Sequence, residues 1–337
     1  MSSPGGNAEE KNWPKDEFGR HEVIVQLSQL SWIFLILVAG LGLLIHASFK
    51  AKPGRNVIAY CAQDQVYAEA IFRDFQKETG VRVRAIYDSE VVKTVGIVNR
   101  LLAERSHPQC DVFWGNEEMR ARQLAAQGIF REKNGWAAFG FRSRRIVINT
   151  NKLSLTSAPH FLEELTNTTW RGKIALAYPQ FGTTSTHFHA LRQYWGPSRW
   201  EAWCRLLAAN KPFLLDGNSV VVKTVGRGDA WVGLTDSDDI AAGQEDGLPV
   251  EALPLSKESL LIPNTVGVVH HAPHAEAAEQ LFEYLQRPVV TERLVAAKAL
   301  EGGSPAAVTI PTLKFQWDAL VKDLEIVTAK LNEIFLR

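Results

Sequence analysis

Cysteine is scarce in this chain of 337 residues, which contains only Cys61, Cys110 and Cys204. Three scattered thiols cannot form a disulfide framework, and none has the closely spaced partners that a zinc site requires. We interpret all three as small buried residues. A Cys61–Cys110 disulfide is the alternative if the protein occupies an oxidising compartment.

An excess of one charge is also absent, because Lys+Arg and Asp+Glu each total 37 and the formal net charge is zero. No run of basic residues interleaved with aromatic ones indicates nucleic-acid binding. The sequence has no nucleophile elbow, phosphate-binding loop, helical pair of histidines or dinucleotide fingerprint. Ser185 near His187 is the nearest approach to a nucleophile beside a base. We therefore predict that the protein is not an enzyme and carries no cofactor.

Long hydrophobic runs are limited to one, at residues 30–49 (LSWIFLILVAGLGLLIHASF), which contains no Asp, Glu, Lys or Arg. Its length matches the ~30 Å of hydrocarbon that a helix must cross and exceeds the roughly 7–15 apolar residues of a secretory signal. We predict an uncleaved transmembrane signal anchor, between a polar tail (residues 1–29) and a linker (residues 50–56). A cleaved signal peptide is the alternative. Basic residues flank both sides, so charge does not set the orientation.

The whole chain is 46% hydrophobic, and its 337 residues exceed what one hydrophobic core usually spans, so we predict two lobes. Strand-like segments alternate with helix-like ones, as in residues 57–60, 66–79 and 81–87. This alternation predicts an α/β fold built from parallel βαβ units. We assign residues 57–147 and 263–337 to a first lobe and residues 148–262 to a second.

Six segments resemble, in order, the extracellular solute-binding proteins of ferric-iron importers. They are residues 60–90 (YCAQDQVYAEAIFRDFQKETGVRVRAIYDSE), 93–104 (KTVGIVNRLLAE), 110–117 (CDVFWGNE), 170–187 (WRGKIALAYPQFGTTSTH), 217–239 (GNSVVVKTVGRGDAWVGLTDSDD) and 262–269 (IPNTVGVV). The resemblance implies a type II periplasmic-binding fold, in which two lobes joined by two crossing strands close on a ligand. It also implies partnership with an ABC permease and ATPase. The binding domain would then lie on the periplasmic side of a bacterial inner membrane, held by the single-pass anchor.

Ligands of open α/β sheets bind beyond the carboxyl ends of the strands, and this rule selects most of the candidate site. The resemblance adds Arg142, which matches an arginine that pairs with an anion in the cleft of iron-binding relatives; a solvated arginine is the alternative. We assign Trp114 to cover an apolar part of the solute. The predicted ligand-binding residues are Asp64, Ser89, Trp114, Asn116, Glu117, Arg142, Gly182, Thr183, Thr184, Ser185, Asn218, Ser219, Asp236, Asp238 and Asp239.

The segment FGTTSTH at residues 181–187 places a glycine and several hydroxyl groups where a helix begins. Free N–H groups at a helix N-terminus bind phosphate, phosphonate, carbonate or carboxylate. We predict an anion cradle here, with an ordinary Ser/Thr N-cap as the alternative. Asn218 and Ser219 open a further helix in the same style.

The iron-binding pattern is broken at Asp238 and Asp239, where the resemblance implies an adjacent pair of tyrosines. The carboxylates of the run TDSDD at residues 235–239 are suited to bind a divalent cation, to grip a ligand ammonium or to cap the following helix. No metal ligand set is identified. An anion cradle opposite an acidic corner predicts an anionic or zwitterionic solute of the organophosphate or phosphonate class. Ferric-iron binding and a ligand sensor that reports to a membrane partner are the alternatives.

Overall fold

The computed structural model describes residues 55–87 and 93–336. The predicted tail, the predicted anchor, nearly all of the linker and Ser89 lie outside these ranges. Within them, no helix combines the length and the apolar character needed to span a membrane.

Strands and helices alternate in the first part of the described chain, as the sequence pattern predicts. In order they are β1 (Asn56–Cys61), α1 (Gln65–Thr79), β2 (Arg82–Tyr87), α2 (Lys93–Ala103), β3 (Val112–Gly115) and α3 (Glu118–Ala126). β1 pairs in parallel with both β2 and β3. The helix α1 ends at Gly80, whose φ of 71° lies in the left-handed region that glycine adopts without steric cost.

Two long antiparallel strands connect the lobes. They are β4 (Trp136–Asn149) and β9 (Leu260–Val268), whose register runs from Trp136 opposite Gly267 to Arg144 opposite Leu260. Near its amino end β4 accompanies the first-lobe strands, and near its carboxyl end it pairs with β7 (Val232–Asp236) of the second lobe. The same strand therefore carries side chains into both lobes.

The second lobe repeats the α/β pattern between these crossing strands. Its elements are short 3₁₀ helices at Leu162–Thr166 and Thr168–Trp170, then β5 (Ile174–Ala177), α4 (Gly182–Trp195), α5 (Pro197–Ala209), β6 (Phe213–Leu215), α6 (Asn218–Arg227), β7, α7 (Ser237–Glu245) and β8 (Val250–Ala252). The strand order is β2-β1-β3-β9-β4-β7-β5-β6, with β8 beside β4.

The C-terminal helices divide between the two lobes, which corrects our assignment of residues 263–337 to the first lobe alone. They are α8 (Ala275–Leu285), α9 (Pro288–Ala296), a 3₁₀ helix at Pro305–Ala307, α10 (Trp317–Lys322) and α11 (Leu324–Phe335). Leu281 of α8 packs in the first-lobe core, but Leu331 and Phe335 of α11 pack in the second-lobe core. The ring of Phe335 lies 5.9 Å from that of Phe188 in α4. Apolar periodicity predicts that α11 buries one face, and does not specify against which lobe.

All three cysteines lie in the described residues, are buried and form no disulfide, as the sequence analysis expects of small core residues. Burial raises the pKa of the Cys110 and Cys204 thiols, which disfavours the reactive thiolate.

Candidate functional site

Three helices of the second lobe begin at one edge of the sheet. β5 pairs in parallel with both β6 and β7, so the carboxyl ends of all three strands lie at the same edge. α4 follows β5, α6 follows β6 and α7 follows β7. The amide of Asn218, the first residue of α6, donates a hydrogen bond of 3.1 Å to the hydroxyl of Thr183 in α4. The N-termini of α4 and α6 are therefore in direct contact.

The start of α4 has backbone donors without helical acceptors. A turn precedes the helix, in which Phe181 N donates to Tyr178 O at 3.2 Å, and Gly182 adopts a φ of +53°. The first donor bonded in the helical manner is Ser185 N, which reaches Phe181 O at 3.0 Å. The N–H groups of residues 182–184 therefore have no acceptor within the helix, and they carry the positive end of its dipole.

The hydroxyl groups of the predicted cradle point into the protein. Thr183 donates to Asp236 at 2.8 Å, and Thr186 donates to the Glu117 carboxylate at 3.0 Å. The Ser185 hydroxyl lies 3.4 Å from His189 Nδ1. Thr184 is buried. Of the predicted cradle, only the backbone N–H groups of residues 182–184 are left without an acceptor in the helix.

Arg142 is buried and is held by carboxylates of the protein itself. Its guanidinium lies 3.2 Å from Asp236 and 3.3 Å from Asp238, and it donates to the Asn116 carbonyl at 2.9 Å and to Asn264 at 3.1 Å. Burial lowers the pKa of Arg142, but attraction by Asp238 and Asp236 outweighs burial and leaves the pKa above its ordinary value. Neither the solvated arginine nor the anion-pairing arginine of the sequence analysis describes it, because its donors already have acceptors.

Arg144 is the residue of this site that our sequence analysis missed. It is fully buried, and one guanidinium nitrogen donates to Thr183 (3.0 Å), Asn218 (3.1 Å) and Asp236 (2.6 Å). It thereby joins the start of α4, the start of α6 and the end of β7. A signal was present, because Arg142 and Arg144 stand two positions apart on a strand and so share one face.

The acidic run brings Asp236, Asp238 and Asp239 together, with one carboxylate oxygen of each within 4.8 Å of the others. The carboxylate of Asp236 pairs with Arg142 and Arg144 and accepts a hydrogen bond from Thr183. It makes no capping hydrogen bond to the start of α7. Burial raises the pKa of Asp238 to about 7 against the attraction of Arg142, and burial also raises that of Asp239. The negative charges of Asp236 and Asp64 raise both pKa values further. Asp238 and Asp239 lie in the first turn of α7, where the helix dipole stabilises negatively charged side chains.

Two further predicted residues have structural roles instead. Trp114 is fully buried between Phe72 (ring centroids 5.4 Å apart) and Phe139 (5.9 Å), so it packs in the first-lobe core rather than covering a solute. Glu117 is also fully buried, accepts from the backbone N–H of Arg120 at the start of α3 and binds Thr186 of the other lobe. Burial raises the pKa of Glu117. Ser219 lies partly buried in the first turn of α6.

Comparison with known proteins connects this geometry to a family. A sequence model of the family described as bacterial extracellular solute-binding proteins matches residues 57–297. A search of curated protein sequences finds no match.

Several solved structures share the fold. Iron-bound HitA from Pseudomonas aeruginosa is 17% identical, with a TM-score of 0.72, over 82% of this chain and 99% of that one. AfuA from Actinobacillus pleuropneumoniae, with fructose-6-phosphate bound, is 18% identical, with a TM-score of 0.73, over 85% and 99%. Trichodesmium IdiA (FutA), with iron and citrate, is 18% identical, with a TM-score of 0.65, over 84% and 100%. These likenesses confirm the predicted α/β periplasmic-binding fold.

Proposed function

The chain belongs to the family of bacterial extracellular solute-binding proteins, and we propose that it captures a small organic anion for an ABC-type importer. The solute is of the organophosphate or phosphonate class and binds between the lobes. Residues 30–49 would anchor the receptor to the inner membrane near its permease, which raises the effective concentration of one for the other.

The observation that carries this proposal is the contact between the N-termini of α4 and α6 through Asn218 and Thr183. Each helix N-terminus carries roughly half a positive charge, so two together favour an anionic group with several oxygen atoms. The guanidinium groups of Arg142 and Arg144 pair with carboxylates of the protein, so we do not assign either arginine to bind the anion. The anion is therefore recognised by backbone dipoles rather than by a free cation.

The carboxyl groups of Asp238 and Asp239, in the first turn of α7, supply hydrogen-bond acceptors at the same edge. Such groups suit the hydroxyls of a phosphorylated sugar or the ammonium of an aminoalkylphosphonate. The fructose-6-phosphate bound to the structural relative AfuA supports the first of these classes.

Closure of the lobes completes the site in this proposal. Contacts already join the lobes, including Thr186 with Glu117 and Lys298 with Glu245 at 2.9 Å. A solute shifts the balance between open and closed forms only by binding the closed form more tightly, so it must contact both lobes.

Ferric iron is the second candidate, favoured by the three clustered carboxylates and by the iron-bound relatives HitA and IdiA. Two observations weigh against it. Asp236 and Asp238 already pair with arginine. Aspartates stand at positions 238 and 239, where the resemblance to iron-binding proteins implies a pair of tyrosines.

The test uses the full chain in mild detergent, prepared without phosphate or chelators, and isothermal titration calorimetry. We expect fructose 6-phosphate or 2-aminoethylphosphonate to bind and ferric citrate not to bind. Stoichiometric iron uptake without binding of either organic anion would overturn the proposal in favour of the iron receptor.

A matched pair of variants tests the helix N-terminus directly. Gly217, which precedes α6, is extended (φ −168°, ψ 167°), so proline at position 218 fits the first helical position. Asn218→Ala removes the side chain, whereas Asn218→Pro also removes the backbone N–H. A hydrogen bond to a charged group contributes about 1.5–3 kcal/mol, so we expect the proline variant to bind roughly tenfold or more weakly than the alanine variant. Equal affinities would show that this N–H group does not contact the solute.

A further inference from the structure

Gln180 is a buried side chain whose hydrogen-bonding groups are unused. It is 2% exposed, yet neither its amide nitrogen nor its amide oxygen has a hydrogen-bond partner within the part of the chain that the structure describes. Buried polar atoms are almost always paired, and leaving one unpaired costs about 1–3 kcal/mol. A glutamine with both ends unpaired therefore needs an explanation.

Its position in the chain places Gln180 at the candidate site. It lies inside the turn from Tyr178 to Phe181, which connects the carboxyl end of β5 to the start of α4. Two residues later, Gly182 begins the helix whose first N–H groups we assign to the anion. The buried amide of Gln180 has no hydrogen-bond partner among the described residues, and the N–H groups of residues 182–184 have no acceptor within the helix. These are independent observations on neighbouring residues.

We propose that Gln180 is a specificity-determining residue whose amide contacts the bound solute beside its anionic group. This inference rests on the proposed function and narrows its substrate class. An amide presents a donor and an acceptor close together, and a hydroxyl group is the simplest partner that satisfies both. The geometry therefore favours a hydroxylated organophosphate, such as a sugar phosphate, over an anion without hydroxyl groups.

Substitution of Gln180 should affect the stability of the unliganded protein and its affinity for the solute in different ways. Gln180→Met keeps the length of the side chain and removes both polar atoms, so in the unliganded protein it relieves an unpaired burial. We expect the melting temperature of the unliganded full chain to stay equal or rise. The same substitution should weaken the affinity for fructose 6-phosphate by about tenfold, because the solute hydroxyl loses its partner.

Methyl phosphate serves as the second probe, because it carries the anion and no hydroxyl on its organic part. We expect its affinity to be the same in wild type and Gln180→Met. Gln127→Met, an exposed position at the end of α3, is the matched control and should change neither stability nor affinity.

The outcomes distinguish the two proposals. If wild type binds none of fructose 6-phosphate, methyl phosphate and 2-aminoethylphosphonate, the proposed function fails and this inference fails with it. If wild type binds only 2-aminoethylphosphonate, the proposed function stands and the inference of a hydroxylated solute is refuted. If wild type binds fructose 6-phosphate and Gln180→Met binds it equally well, only the role of Gln180 is refuted. A fall in melting temperature with both affinities reduced in parallel would assign Gln180 to the structure of the turn and would also refute it.

Discussion

At the scale of single residues, Asp236 is held by two buried arginines of the protein itself. One of its carboxylate oxygens lies 2.6 Å from Arg144 and the other 3.2 Å from Arg142. A buried charge that lost these partners would be strongly destabilising. The pair of arginines therefore holds the acidic edge of β7 in place, and leaves Asp238 and Asp239 less well neutralised.

Asp238 makes stability depend on pH in a specified direction. Its folded-state pKa of about 7 lies above the ordinary value of 3.8 for an aspartate, so between these two pH values the folded state binds more protons than the unfolded state. The free energy of unfolding that Asp238 contributes therefore falls as pH rises from about 4 to 7. We expect Asp238→Asn to be more stable relative to wild type at pH 8 than at pH 5.

The comparison is made by urea unfolding of both proteins at each pH. Buried His187 and His189, whose pKa values burial lowers to about 3 and about 4, act in the opposite direction. They are present in both proteins and cancel in the difference. A difference between variant and wild type that does not change with pH would show that Asp238 is not perturbed.

At the scale of elements, the starts of α4 and α6 and the last helix, α11, belong to the second lobe. The starts of α4 and α6 face the site, while the other end of α4 is held by the C-terminal segment, where Arg192 pairs with Asp323 at 2.7 Å. α11 thus supports the helix that carries the proposed anion site, although it is far from it in sequence.

Truncation of the buried face of α11 tests this assignment. Leu331 is fully buried in the second-lobe core, so we expect Leu331→Ala to lower the free energy of unfolding by about 2–5 kcal/mol. Hydrogen exchange should show the loss of protection in α4 and α5. Ile326, 68% exposed on the same helix, is the matched control, and Ile326→Ala should change stability by no more than about 0.5 kcal/mol. Similar costs for both variants would contradict the packing of α11.

At the scale of the whole molecule, the proposed function depends on the balance between open and closed lobes. Lys298 follows α9 beside the first-lobe core, and Glu245 ends α7 in the second lobe; their side chains are 2.9 Å apart and more than half exposed. An exposed ion pair contributes about 0.2–1 kcal/mol. It therefore biases closure modestly and does not determine it.

Charge reversal at this pair should shift the balance toward the open form. We expect Lys298→Glu to increase the radius of gyration of the unliganded protein in small-angle scattering. It should weaken solute affinity by up to about fivefold at low salt, since the pair contributes at most about 1 kcal/mol. The double variant Lys298→Glu/Glu245→Lys should restore both values, and high salt should abolish the difference. An unchanged radius of gyration at low salt would show that the pair does not hold the lobes together.

The sequence by itself determined the α/β alternation, the ends of the strands and the helix starts, because these follow from local periodicity and from residues such as Gly80 and Gly182. The rule that ligands meet the carboxyl ends of strands then selected the edge of the sheet at which we propose that the solute binds. The family followed from ordered segments, and the match over residues 57–297 confirms it.

Only the tertiary structure decided which neighbour each polar side chain takes. From the sequence, Arg142, Thr183 and Glu117 are predicted to bind a solute. In the structure, each of these side chains bonds another residue of the protein that is distant in sequence. The same contacts place Trp114 in a core and α11 on the second lobe. Local patterns specify which face of an element is buried or polar; the partner on that face depends on how the lobes and the crossing strands pack.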